Sequence, residues 1–248
     1  MRLRVPTVRV KGREIPRVLL GTSPFLGAGQ FGVRAYEYYR AFFRQPENIT
    51  RLVEGCIEMG VNGVQLVAYP QIGKAIRKAE ENVGRRLIVV GSLPYDIPER
   101  ALECLSEFKT VAALLHGEQT DKMDMNENRR WLRRIEREGY LTGVVTHSPS
   151  RTIPAILKEL EFDILMLPLN KVGYLMGDRR EELIDRIKES DVYVIAMKPL
   201  AAGRIKPEAA MKYLFSIGKV GSVAVGVASI EEAKETFSSA IKALTEST

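Results

Sequence analysis

Cysteine is nearly missing: Cys56 and Cys104 are the only two in 248 residues. Both fall in helix-like stretches among apolar neighbours, so two buried thiols are expected, with neither a disulfide framework nor a zinc cluster. Long apolar runs are missing too. None reaches the roughly 18 residues that a membrane helix needs. The opening residues Met1–Lys11 alternate basic and apolar side chains and contain no signal-peptide core. A cytoplasmic protein with no membrane partner is expected. No linker or low-complexity segment interrupts the chain, so residues 1–248 read as a single domain. Histidine is down to two residues, His116 and His147. What is also missing is a G-x-G-x-x-G phosphate loop at a helix start: in "GTSPFLGAGQFG" Gly27, Gly29 and Gly32 have the spacing, but they do not open a helix directly after the first apolar strand, as an open doubly wound sheet would need.

Charge of both signs is plentiful. The net charge is +6 and the pI about 9.3, but the basic residues are scattered among acids. The densest cluster, "RRWLRRIERE", spaces Trp131, Leu132 and Ile135 as one helix face, so its arginines read as the solvated side. No nucleic-acid partner is expected. A modest positive field suits a small phosphate-bearing ligand. Abundant Lys, Arg and Glu give the chain a thermophile-like composition.

Short apolar runs alternate with amphipathic ones. Strands are expected at Val18–Gly21, Gly63–Val67, Leu87–Gly91, Val111–Leu115, Gly143–Thr146, Ile164–Leu167, Val192–Met197 and Ser222–Gly226. Helical patterns follow each, with Pro98 and Pro207 at helix starts. Eight βα units in this length predict a (β/α)8 TIM barrel. Ahead of them, alternating runs flank Lys11-Gly12, a tight-turn pair, and predict a β-hairpin over Thr7–Ile15 that plugs the N-terminal mouth.

In such a barrel the chemistry sits where strands end at the C-terminal face. "VIAMKPLAAGRI" ends a buried strand on Lys198. Strict alternation would put Val194, Ala196 and Lys198 inside the barrel and Ile195 and Met197 in the sheet–helix layer. At the mouth Lys198 would bind phosphate, form a Schiff base, or merely snorkel to water. His116 and His147 end the fourth and fifth strands, and His147 equally reads as a local cap. With Glu118 or Asp121 the two imidazoles would make a metal site, but no tight ligand spacing supports one. Asn170 either bonds a ligand amide or caps its own loop. The loop Phe25–Phe43 is rich in aromatics and reads as a lid or pocket wall with Phe25 against substrate, or as a homo-oligomer contact.

Several stretches, in order, resemble the aldo/keto reductase family: "LGTSPFLG", "EMGVNGVQLVAYPQIGKAIRK", "LTGVVTHSPSRTIPAIL", "FDILMLPLN", "VIAMKPLAAGRI" and "VGVASIEEAKET". The resemblance implies NADP across the C-terminal mouth and a catalytic tyrosine, aspartate, lysine and histidine. Tyr69 lies one residue early for the tyrosine, and His116 matches the histidine. The aspartate position falls on Gln65 or Val64, and the lysine position on Ser92. Gln65 and His147 would then face substrate, with Tyr69, His116 and Lys198 as the catalytic candidates. Asn170, Gly203, Arg204, Gly226, Ser229 and Lys234 would hold the cofactor, although Met166 stands where the nicotinamide glutamine belongs. Ser229 also reads as a plain helix cap in "SIEE". The resemblance therefore implies an NADP-binding oxidoreductase relative with altered or lost carbonyl reduction. A non-redox barrel lyase, isomerase or hydrolase for a small anionic substrate, and an inactive binding protein, are the alternatives.

Overall fold

The computed structural model describes residues 3–246. Met1, Arg2, Ser247 and Thr248, which belong to the expected 1–248 domain and opening segment, lie outside the described residues. The chain begins with an antiparallel hairpin, β1 (Thr7–Val10) and β2 (Arg13–Pro16). Its turn residues Lys11 and Gly12 both have positive φ, 44° and 80°, the left-handed pair that matches strand twist.

Then come β3 (Val18–Gly21), a looping segment with the short helix α1 (Arg34–Tyr38) and a π-helical turn (Tyr39–Phe43), and α2 (Pro46–Met59). The alternation continues through β4 (Gly63–Val67), α3 (Pro70–Val83), β5 (Ile88–Leu93), α4 (Pro98–Ser106), β6 (Lys109–Leu115), α5 (Gly117–Thr120) and α6 (Met125–Arg137). It ends with β7 (Leu141–Val145), α7 (Pro149–Glu159), β8 (Ile164–Pro168), α8 (Arg180–Glu189), β9 (Tyr193–Met197), α9 (Pro207–Ser216), β10 (Val220–Gly226) and α10 (Ile230–Glu246). Helices α2, α3, α4, α7 and α9 each begin at a proline, whose fixed φ suits the first turn and whose missing N–H costs nothing there.

Strands β3 to β10 pair in parallel with their sequence neighbours, and β10 pairs back onto β3. The result is the expected closed (β/α)8 barrel with its N-terminal hairpin. The sequence pattern missed α1, the π-helical turn and α5, which are too short to carry a period. Among the described residues no helix is long and apolar enough to cross a membrane.

The apolar interior has two layers. One contains strand residues such as Val64, Leu66, Val194 and Ala196 together with buried helix residues such as Ile76, Ile153 and Met211. The other is drawn from strands and the hairpin without a helix residue: Ile15, Leu19, Val90, Leu114, Met166, Ile195 and Met197. This second layer is the barrel interior. It corrects the expected alternation of β9. Val194 and Ala196 face the helices, while the larger Ile195 and Met197 fill the barrel lumen. Bulky side chains are needed inside because small-residue strands would leave the lumen void. Cys56 and Cys104 are both buried as free thiols, and burial pushes them up to about 12 and about 11.

Ile15 is wholly buried at the base of the lumen. Ile15→Ala should cost about 2–5 kcal/mol in urea unfolding, the range for opening a cavity in a packed core. A loss under about 1 kcal/mol would show that the hairpin does not seal the barrel.

Candidate active site

Three side chains converge at the C-terminal mouth. His116 follows β6 and precedes α5, His147 follows β7, and Lys198 follows β9. The His116 and His147 rings lie 5.2 Å apart, edge to face at 75°. Lys198 Nζ lies 3.1 Å from His147 Nδ1. An ammonium can only donate, so against the charged lysine Nδ1 is the acceptor and the imidazole proton sits on Nε2.

Lys198 reaches this place by backbone geometry rather than by strand alternation. Its φ is 56°, in the left-handed region that a non-glycine residue seldom adopts. The strand ends at Met197, inside the lumen, and the left-handed residue turns the next side chain into the mouth as well. Pro199 follows and blocks continuation of the strand. Ala201, Ala202 and Gly203 are also left-handed, at 48°, 57° and 85°. Gly203 is the residue suited to this conformation, and a Cβ there would meet no neighbour.

His147 is pinned from behind. Asp121 Oδ2 accepts its backbone N–H at 2.9 Å, and Asp121 Oδ1 accepts the Thr146 hydroxyl at 2.6 Å. Gly117 gives the ring room, since a Cβ there would sit 2.6 Å from His147 Cδ2. Burial, then Lys198, then His116 push His147 down to about 3, so it stays neutral. Burial is also the main cause that lowers His116. Lys198 is pushed down to about 8 by burial, against the opposing pull of Asp121.

The cluster opens into a cavity of about 580 Å³. Gln65, Ser92, His116, His147 and Lys198 line its floor, and Gly203, Arg204 and Gly226 line its flank. Gln65 Nε2 donates to Ser92 Oγ at 3.1 Å. The two positions where the resemblance implies aspartate and lysine thus hold a neutral, self-satisfied pair.

Other expected site residues lie elsewhere. Tyr69 is not in the cavity wall. Its hydroxyl donates to Asp96 at 3.2 Å, and burial followed by Asp96 pushes it up to about 12. A tyrosine so held is a poor proton donor at neutral pH. Phe25 is fully buried in the core against Phe42, with ring centroids 5.3 Å apart, and so does not face substrate. Asn170 caps its own loop, donating to Tyr174 O and accepting from Tyr174 N. Ser229 Oγ accepts from Glu232 N and so caps α10, while the Glu232 carboxylate accepts from Ala228 N, one residue before the cap. Lys234 is exposed beyond the cavity wall.

Sequence reasoning missed Tyr174, Arg34 and Lys206, all of which line the cavity. The Tyr174 hydroxyl donates to Gln30 O at 2.9 Å, and the Arg204 guanidinium stacks 4.3 Å over its ring. Tyr174 thereby ties the β8–α8 loop to the lid segment. Phe31 and Tyr38 of that segment do line the cavity, as the aromatic composition implied. Tyr174 sits in an irregular loop, where no periodicity marks a contact across 144 residues of sequence. Among the described residues no group of three or more His, Cys, Asp or Glu side chains is gathered to hold a metal.

His147 makes stability sensitive to acid. Its folded pKa of about 3 lies below its ordinary value of 6.5. Between those values the unfolded chain binds a proton that the folded chain refuses, so stability falls as pH falls through that window. His147→Gln should lose less stability than the parent between pH 7 and pH 4. Parallel stability curves would contradict the burial of a neutral imidazole. In any turnover assay Tyr69→Phe should change kcat by less than about threefold, and a loss of 100-fold or more would return the tyrosine to the site.

No family model and no curated protein matches this sequence. Solved structures do match its fold. An aldo-keto reductase from Pseudomonas aeruginosa, described as putative, superposes with a TM-score of 0.67 at 17% identity, over 96% of this chain and 95% of that one. The holo form of an aldo-keto reductase from Bacillus halodurans gives 0.64 at 17% identity, over 96% and 91%. A glycerol dehydrogenase from Gluconobacter oxydans gives 0.63 at 13% identity, over 97% and 94%. The chain carries the fold of the aldo-keto reductases, over nearly its full length, on a strongly divergent sequence.

Proposed function

We propose that this protein is a carbonyl-binding oxidoreductase of aldo-keto reductase architecture, in which Lys198 takes over the work of a tyrosine acid. The observation that carries the reading is the single cavity that joins the His116–His147–Lys198 cluster to the loop after β9 and to the start of α10.

A nicotinamide dinucleotide is the ligand that the fold resemblance suggests, and the residues present fit part of it. The amides of Leu200, Ala202 and Arg204 bond to no acceptor among the described residues, and all three residues line the cavity. With Lys206 and Arg204 they suit a diphosphate. The start of α10 is a poorer match for the additional phosphate of NADP. Its capping amides already serve Ser229 and Glu232, and Glu232 and Glu235 line the adjoining wall. When bound, the dinucleotide supplies hydride.

The chain's own residues hold and polarise the carbonyl. The Lys198 ammonium stands in a water-poor site, where a donor aimed at a developing oxyanion counts for most. A pKa of about 8 keeps it charged at neutral pH and still willing to give up a proton. Neutral His147 orients Nζ. Arg34 and Lys206 line the cavity and form no ion pair among the described residues, which favours an anionic substrate.

Titration of the protein with NADH and NADPH, followed by cofactor fluorescence, tests the reading. Binding of at least one of them in the micromolar range is expected, with NADH bound no more weakly than NADPH. Failure of both to bind at 1 mM would rule the oxidoreductase reading out. Where turnover of a carbonyl substrate is found, Lys198→Met should reduce kcat at least 100-fold. The rate should fall as pH rises through about 8, because the ammonium is lost there while His147 and His116, both lowered by burial, stay neutral. A rate flat from pH 7 to pH 10 would remove Lys198 as the acid.

A further inference from the structure

We propose that Lys198 is also a covalent site: its amine forms an imine with small aldehydes that carry a phosphate or similar anion. The inference rests on reading this cavity as a carbonyl site, but it does not need the dinucleotide.

Three independent features support it. The first is placement. Lys198 is half-buried in the cavity, with Nζ 3.1 Å from His147 Nδ1 and 3.7 Å from the Met197 sulfur. Among the described residues no carboxylate forms an ion pair with it, and the pull of Asp121 is outweighed by burial. A lysine whose ammonium is partly desolvated spends more of its time as the free amine, which is the nucleophile; burial that lowers its pKa to about 8 agrees.

The second feature is the backbone. Left-handed φ values at Lys198, Ala201 and Ala202 are each unfavourable for a residue with a Cβ. Such local strain collects where a side chain must be held in a set direction. Here it directs the amine into the mouth against the direction that strand alternation would give.

The third is the anion site beside it. The unpartnered amides of Leu200, Ala202 and Arg204, with the side chains of Arg204 and Lys206, border the same cavity as Nζ. Backbone amides without acceptors and nearby cations bind phosphate oxygens. An aldehyde bearing a phosphate would therefore meet the amine at one end and the anion site at the other.

The step balances without redox. Lys198 first loses one ammonium proton to water. The nitrogen lone pair then adds to the carbonyl carbon, a C–N bond forms, and the oxygen takes a proton to give a carbinolamine. The carbinolamine hydroxyl takes back the proton first released to water, the C–O bond breaks, water leaves, and the nitrogen keeps a double bond to carbon as the protonated imine. His147 Nδ1 accepts the Nζ–H hydrogen bond and keeps the lone pair aimed at the cavity. Ammonium plus aldehyde gives protonated imine plus water.

Reductive trapping tests the proposal on the full chain. Pyridoxal 5′-phosphate serves as the phosphate-bearing aldehyde and pyridoxal as its phosphate-free counterpart, each at one equivalent, followed by borohydride and peptide mapping. The expected result is one label per chain, on Lys198, at least tenfold above any other lysine. Pyridoxal should label Lys198 at least fivefold less, and 1 mM inorganic pyrophosphate should protect it. Lys198→Met should lose the label, and the wild-type map alone decides the case if that variant does not fold. Label spread over surface lysines with Lys198 unmodified overturns the proposal. Equal labelling by pyridoxal overturns its anion requirement. Trapping without any NADH or NADPH binding would sink the oxidoreductase reading and leave this one standing, and the reverse result would do the opposite.

Discussion

A left-handed lysine at the end of a barrel strand governs this site. Strand β9 must fill the lumen with Ile195 and Met197, because the lumen needs volume. Strict alternation would then send Lys198 into the sheet–helix layer, where an ammonium has no water and no partner. A φ of 56° resolves the conflict and brings Nζ to His147. The cost of that conformation, of order 1–2 kcal/mol for a residue with a Cβ, falls on the residue whose side chain has most to gain from reaching the mouth. Pro199 and the left-handed residues Ala201, Ala202 and Gly203 carry the bend onward into the loop that borders the cavity.

The rest of the site is arranged to keep that lysine uncharged more easily than usual. Asp121 is close enough to oppose the shift, yet its carboxylate is spent on the His147 amide and the Thr146 hydroxyl. His116 and His147 are both driven towards neutrality by burial, so they add no competing positive charge. The Gln65–Ser92 pair brings no charge either. Tyr69, meanwhile, is drawn off to Asp96. The fold is that of the aldo-keto reductases, and at the mouth β4 and β5 present the uncharged Gln65 and Ser92 while Lys198 follows β9.

Much of this was legible in the sequence, and the reasons differ by element. The eight strands and their helices show as period, and β3 and β4 match their expected limits residue for residue. The hairpin shows through Lys11-Gly12. The convergence of His116, His147 and Lys198 follows from each ending a strand. Other features leave no local mark. The inward course of Lys198 was expected for the wrong reason, because parity counts residues and cannot register a left-handed φ. Phe25 and Tyr38 look alike in composition, but one joins the core and the other the cavity wall. Asn170 and Ser229 have side chains that serve equally as caps or ligands, and both are consumed locally. Tyr174 reaches Gln30 across the mouth, a contact that only the closed fold creates.

The central claim is that Lys198 sits desolvated against a neutral His147 and titrates far below an ordinary lysine. Reductive 13C-methylation of the lysines, with the Lys198 resonance assigned by its loss in Lys198→Met, measures this directly by NMR. A methyl resonance for Lys198 with a midpoint near pH 8, separated from surface lysines near pH 10.4, is the result this account requires. A Lys198 midpoint with the surface lysines would mean that its ammonium is solvated, and that neither the acid nor the imine chemistry has its basis.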